Sequence, residues 1–244
     1  GNDDGVYAPG IRLLYKHLSK NHEVIVVAPD RDFSAAGKSL TLNFPLRTKE
    51  IEGQFISVEG TPTDSVHLAL TELLDRKPDL VIAGINAGSN LGDDTLYSGT
   101  VAAATEGYFF GIPSIAVSQA GRPSTEKFER SAEIMSNILD SLTRDILTKD
   151  VILNINFPQE EPKGLKIARL GLRHRAEGMI RDKDPRGNDI FWLGPPGQEQ
   201  DAGPGTDFHA INNGFISVSP LQMDLTRHSA LDEVNSWFKE CVLS

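Results

Sequence analysis

Two adjacent carboxylates, Asp3 and Asp4, stand near the start of the chain between Asn2 and Gly5. On a regular strand neighbouring side chains point to opposite faces, so the pair can share a ligand only where the backbone turns, and Gly5 permits that turn. Taken alone, Asn2-Asp3-Asp4-Gly5 reads equally as an Asx turn that caps a helix beginning near Pro9. A second loop, Pro29 to Ser39, brings Ser34, a neutral oxygen whose bland reading is a turn serine. A third, Gly84 to Asp94, is rich in Gly and Asn and holds Asn86, whose amide can offer a carbonyl oxygen. Asp93 and Asp94 in the same loop read as solvated turn residues. Fourth comes Ser98-Gly99-Thr100 before an alanine-rich helix. Hydroxyls and free N–H groups at that positive helix end make an anion site. An ordinary N-cap explains one of the hydroxyls and leaves the intervening Gly99 without a reason.

Each loop is a weak signal, and their convergence is stronger. Two carboxylates, a hydroxyl and an amide oxygen form a set with no His or Cys, which favours a hard ion, Mg²⁺ or Mn²⁺, over zinc. A metal beside an anion cradle implies phosphoryl chemistry. No general acid for the leaving group stands out among His17, His22, His67, His174, His209 and His228.

The elements that must position these loops follow a βαβ rhythm. Ile11, Leu14, Tyr15 and Leu18 share a helical face ahead of a strand at Glu23 to Ala28. Pro62 and Thr63 open a helix with Val66, Leu70, Leu73 and Leu74 on one face, and Leu80 to Ala83 follows as a strand. A helix over Thr100 to Phe110, a strand at Ser114 to Val117, a long helix from Phe128 to Ile146 and a strand from Val151 to Asn156 complete the pattern of a mostly parallel sheet flanked by helices. From Pro158 the composition changes. Pro, Gly, Arg and Asp crowd Arg173 to Thr206, with an apolar island at Ile190 to Leu193, so a β-arm or hairpin excursion is expected there. A strand at Phe215 to Val218 and a terminal helix with Leu231, Val234, Trp237 and Phe238 come after it. Residues 1–157 thus read as the α/β core that carries the site and 158–244 as an arm and strand-helix segment of the same domain. A parallel α/β protein would carry an apolar strand ahead of the first loop. None precedes Gly1, and the expectation is that a few residues are missing from this end.

Composition bounds the function. Acidic residues outnumber basic ones for a formal net charge of −10, a field that repels nucleic-acid polymers, so a phosphate substrate needs local help. No apolar run reaches the roughly 20 residues that span a bilayer. The single cysteine, Cys241, forms no internal disulfide and suits a reducing compartment.

Read together, Asn2-Asp3-Asp4-Gly5, Ala28-Pro29-Asp30-Arg31 with Ser34, Gly60-Thr61-Pro62-Thr63-Asp64, Gly84-Ile85-Asn86-Ala87-Gly88 and Tyr97-Ser98-Gly99-Thr100-Val101 resemble, in order and spacing, the signature blocks of the SurE family. Thr206-Asp207-Phe208 and the run from Gly214 to Leu221 resemble its C-terminal block. The resemblance implies a Rossmann-like core, a C-terminal arm exchanged between subunits of a homodimer or homotetramer, a cytoplasmic setting and a metal-dependent phosphomonoesterase. Its substrates would be nucleoside 5′- and 3′-monophosphates, with short polyphosphate as a further one. Carried over by motif, the ligands of one divalent ion per subunit would be Asp3, Asp4, Ser34 and Asn86. Ser98, Gly99, Thr100 and Asn90 would hold the phosphate, and Asp3 and Asp4 would be catalytic. Gly1, where Ser or Thr is usual, and Ser89, where proline is common, depart from the pattern.

Two other readings share the phosphate cradle. A non-catalytic nucleotide-binding stress-response protein gains nothing from two carboxylates beside a phosphate unless a cation lies between them. A phosphatase working through an aspartyl phosphate of the haloacid-dehalogenase type wants Asp-x-Asp, whereas this chain has Asp-Asp.

Overall fold

The computed structural model describes residues 1–142, 151–173 and 178–238. The expectations that fall on Ile146, His174 and Cys241 lie outside them. The order of the first half is the expected one. Helix α1 (Pro9–Leu18) starts with proline at its first position, where a missing N–H costs nothing, and buries Ile11, Leu14 and Leu18. Strand β1 (Val26–Pro29) is buried along its whole length. Two strands not anticipated from the pattern follow it, β2 (Thr48–Glu52) and β3 (Phe55–Val58). β3 pairs with β1 in parallel and with β2 in antiparallel fashion. Helix α2 (Pro62–Leu68) begins with a capping box: Thr61 Oγ1 accepts from Asp64 N–H, and Asp64 Oδ2 accepts from Thr61 N–H.

The main sheet is assembled from β4 (Val81–Ala87), β5 (Ser114–Gln119), β6 (Ile152–Phe157), β7 (Leu165–Ile167) and β12 (Ile216–Leu221), in the order β4-β5-β6-β12-β7. β4, β5 and β6 run parallel, β12 is antiparallel to β6, and β7 is parallel to β12. β4, β5 and β6 are largely buried and carry the apolar residues by which the sequence marks them, whereas β7 is exposed along its length and was not anticipated. Helix α3 (Gly99–Phe109) covers one face with Val101, Ala103 and Ala104. α1 and α4 (Thr125–Ser141) cover the other, where Leu14, Leu18, Phe128, Ala132 and Met135 close over Ile115, Val117 and Ile155.

The second segment does not stand apart, because β12 lies inside the main sheet. The region from Arg173 to Thr206 is an excursion with short paired strands. β9 (Ile180–Lys183) and β10 (Asp189–Trp192) form an antiparallel hairpin, and the expected apolar island is β10 itself. β8 (Leu172–Arg173) pairs with β11 (Glu199–Asp201). Short helix α5 (Asp207–Asn212) precedes β12, and α6 (Leu231–Phe238) is the expected terminal helix.

Gly1 lies between the edges of the two sheets. Its amino group donates to Ile82 O and its carbonyl accepts from Gly84 N–H, the alternation of a parallel ladder, while an added Cβ would stand 3.3 Å from Val27 O. A cavity of about 1090 Å³ opens beside it, lined by Val27, Val66, Leu70, Leu80 and Ile82 among others, and excludes the acidic pair.

Candidate metal and phosphate site

Four loops meet at the carboxyl edge of the parallel strands, the place where ligands bind in open α/β sheets. Hydrogen bonds join them in pairs. Phe33 N–H donates to Asp3 O at 2.8 Å, tying the Pro29–Ser39 loop to the first. Ala87 N–H donates to Asp4 Oδ2 at 3.0 Å, tying the end of β4 to the same turn. The Thr100 hydroxyl donates to Asp3 Oδ1, so α3 begins against the carboxylate. Gly37 N–H donates to Tyr97 O at 3.1 Å, closing the ring between the second and fourth loops.

Gly5 makes the first turn with φ +96°, a conformation that L side chains avoid, and Asn2 Nδ2 donates to Gly5 O. Asp3 is buried and Asp4 partly buried. Ser98 caps α3. Its Oγ accepts from Val101 N–H as an N-cap, and the helix it caps abuts the acidic pair. Gly99 now has its reason: a Cβ there would lie 2.7 Å from Asp3 Cβ and 2.9 Å from Asp3 Oδ2. Only glycine lets the helix end approach the carboxylate this closely.

Ser34 is exposed, and its N–H and hydroxyl both donate to Asp32 Oδ1, at 2.7 and 2.6 Å. With the proton committed to Asp32, the lone pairs of Oγ are the part left to face a cation. Asn86 lies at the end of strand β4, as expected; its Nδ2 donates to Gly88 O at 2.9 Å, so the oxygen side of the amide is the end that remains available. Asn90 is buried and tied into the sheet, with Nδ2 on Ser118 Oγ at 2.8 Å.

Burial raises the Asp3 carboxyl above its ordinary value, against the Thr100 hydrogen bonds that favour the charged form, and the charge of Asp32 adds to the rise. Burial likewise pushes Asp4 up to about 6, helped by the charges of Asp3 and Asp32 and opposed by the Ala87 N–H. Crowded and desolvated acids of this kind are disfavoured as anions unless a cation joins them. A hard divalent ion fits the donors: carboxylate oxygens from Asp3 and Asp4, the Ser34 hydroxyl and the Asn86 amide oxygen. Among the described residues no group of three or more His, Cys, Asp or Glu side chains is arranged to hold a metal.

One expectation is corrected. Asp93 and Asp94 are not solvated turn residues: Asp93 Oδ1 accepts from Arg173 N–H at 2.9 Å, and Asp94 Oδ2 from Arg173 Nε at 2.6 Å. The guanidinium also lies 4.9 Å from the centre of the Phe208 ring. The signal missed was pairing at a distance, which local composition does not encode. The histidines find partners elsewhere: His17 with Glu129, His22 with Asp140, His67 with Glu106 and His228 with Asp224.

Known proteins resemble the chain along nearly its whole length. A family model described as "Survival protein SurE" matches residues 1–177. The chain belongs to the SurE family. A "5'-nucleotidase SurE" of Stenotrophomonas maltophilia (strain R551-3) is 56% identical over 241 residues, covering 97% of this chain and 93% of the relative. The protein of the same name from Vibrio cholerae is 54% identical over 245 residues, covering 99% and 97%. Among solved structures, the SurE protein from Aquifex aeolicus superposes with a TM-score of 0.84 at 41% identity, covering 97% of each chain.

Proposed function

We propose that this SurE chain is a 5′-nucleotidase, a phosphomonoesterase that releases phosphate from nucleoside monophosphates with one divalent ion per subunit. Relatives more than half identical over nearly the whole chain carry the name 5′-nucleotidase SurE, which supports the activity. The observation that carries the site assignment is the stitching of Asp3 and Asp4 to Ala87 and Thr100, which sets an acidic pair against a helix N-terminus. An anion binder without a cation would place no carboxylates there.

Asp3, Asp4, Ser34 and Asn86 would hold Mg²⁺ or Mn²⁺, which when bound would offset phosphate charge and lower the pKa of a water for attack on phosphorus. The residues of the chain do the rest. The Gly99 N–H and the Ser98 hydroxyl would meet the non-bridging oxygens, where charge is spread in the transition state, since the Val101 N–H is taken by Ser98 Oγ and the Thr100 N–H and hydroxyl by Asp3. Asn90 is a further phosphate contact. Asp4, tied by the Ala87 N–H, would give the acidic side of the cradle its second carboxylate. Aspartyl-phosphate formation is the less favoured route, since carboxylates engaged by a cation are poor nucleophiles.

Nucleoside 3′-monophosphates and short polyphosphate are further proposed substrates. The β9–β10 arm is proposed to join two or four copies, and the setting is proposed to be cytoplasmic. Among the described residues no helix is long and apolar enough to cross a membrane. The test is phosphate release from a panel of 5′- and 3′-mononucleotides, p-nitrophenyl phosphate and polyphosphate. Turnover of 5′-mononucleotides is the expected result. Tight binding of mononucleotides with no phosphate released would favour the non-catalytic reading.

A further inference from the structure

The loop that joins the metal side of the site to its phosphate side is fixed at alternate residues from Asn86 to Gly92. Asn86 Nδ2 donates to Gly88 O, and Gly88 N–H donates to Gln119 O at 2.9 Å. Asn90 is gripped by side chains that imitate a neighbouring strand. Its N–H donates to Asn156 Oδ1 at 2.8 Å, and its carbonyl accepts from Asn156 Nδ2 at 3.1 Å and Asn154 Nδ2 at 2.8 Å. Gly92 N–H then donates to Asp207 Oδ2 at 2.7 Å. Asp207 Oδ1 accepts from Gly171 N–H and Phe208 N–H, at 2.8 and 2.9 Å. Asn154, Asn156 and Asp207 are completely buried.

Three buried polar side chains are an expensive way to fill a core, since apolar residues would pack there without desolvation cost. Asn154 and Asn156 point to the same face of β6, opposite the face that Ile155 gives to the α4 core. A helical turn from Gly92 to Leu96 leads straight on to Ser98, so an error at Asn90 or Gly92 is transmitted to both Asn86 and the helix end. Asp207 sits in the C-terminal block that the catalytic reading leaves unused.

From this arrangement we infer that Asn156 and Asp207 are positioning residues: they clamp the backbone of Asn90 and Gly92 and thereby set the distance between the Asn86 metal donor and the phosphate cradle. Neither touches the substrate. The inference rests on the metal-site reading above and deepens it. Through Asp207, residues after 157 take part in shaping a site whose ligands all come from the first hundred residues.

The experiment is Mn²⁺ titration of the purified metal-free full chain by calorimetry or electron paramagnetic resonance, with kcat and KM for a 5′-mononucleotide measured alongside. Variants are Asn156→Leu, Asp207→Asn and, as a stability control on the opposite sheet face, Met135→Ala. Asn156→Leu and Asp207→Asn are expected to weaken Mn²⁺ binding at least tenfold and to lower kcat more than they raise KM. Met135→Ala is expected to lower the melting temperature while leaving Mn²⁺ affinity within twofold of wild type. If Asn156→Leu fails to fold, Asp207→Asn is read by the same criterion, because it keeps the size of the side chain and removes one acceptor. Wild-type Mn²⁺ affinity in a folded clamp variant overturns the inference alone, and so does an equal loss in Met135→Ala. A wild-type chain that takes up no Mn²⁺ overturns the metal-site reading and the inference together.

Discussion

At Asp3 and Asp4 two opposing effects set the chemistry. Burial and mutual repulsion favour the neutral acids, while hydrogen bonds from Thr100 and Ala87 favour the anions, and burial is the larger. Asp3→Asn and Asp4→Asn are each expected to keep the fold and to cut kcat/KM by about 10³-fold, near 4 kcal/mol of transition-state stabilisation. Steady-state kinetics on both, with melting curves to confirm folding, check this; near-normal turnover in both would remove the assignment. The pH dependence has a definite sign. A carboxyl raised from 3.8 to about 6 binds its proton more tightly folded than unfolded, so between those values the metal-free protein gains stability from this group as pH falls. Above pH 6 the penalty is fully present. Melting temperatures of metal-free wild type and Asp4→Asn at pH 5 and 7 should therefore differ more at pH 7, with the variant the more stable there. Saturating Mn²⁺ should reverse that order, since only the wild type gains the full binding energy.

At the scale of elements, the approach of α3 to the first loop decides whether the cradle forms. Alanine normally stabilises a helix relative to glycine by about 0.5–1 kcal/mol. Gly99→Ala is expected to do the opposite, because the new methyl meets Asp3 at 2.7 Å. Thermal denaturation should show a lower midpoint, and activity should fall with it; a more stable and fully active variant would contradict the close packing. Much of the site was legible at this level. Asp3, Asp4 and Thr100 are brought together as their loops implied, because a parallel sheet puts its helix-bound loops on one edge. The role of Gly99 was invisible, since it depends on a residue 96 positions away in the chain. β2 and β3 were missed for a local reason: Thr48–Glu52 is a charged edge strand with no buried face, and Phe55–Val58 is only four residues long. The Asp93 and Asp94 pairing with Arg173 was missed because an ion pair across 79 residues leaves no local pattern.

For the whole molecule, the acidic balance and the arm make separate demands. With a net charge of −10, the protein depends on its local cradle and cation to attract a phosphate monoester, so raised ionic strength should leave KM nearly unchanged or lower it slightly. The β9–β10 hairpin and the residues beside it expose Met179, Ile180, Phe191, Trp192 and Leu193, more apolar surface than a lone hairpin usually shows water. Light scattering should give a mass that is two or four times the 26.6 kDa of one chain. Phe191→Ser combined with Trp192→Ser should shift it toward one copy, whereas a monomeric wild type would refute the assembly. The fold class was readable from alternating strand and helix patterns. The seating of β12 inside the main sheet was not, because antiparallel insertion next to β6 is a tertiary choice that the short run Ile216–Leu221 does not announce.

The all-oxygen metal site proposed around Asp3 and Asp4 stands or falls with metal-dependent turnover of a nucleoside monophosphate. Its most direct test is phosphate release from a 5′-mononucleotide by chelator-treated protein, before and after Mn²⁺ or Mg²⁺ is restored. Turnover should be lost on chelation and recovered on adding back the ion, with no recovery in Asp3→Asn. Turnover that persists unchanged in excess chelator would contradict it.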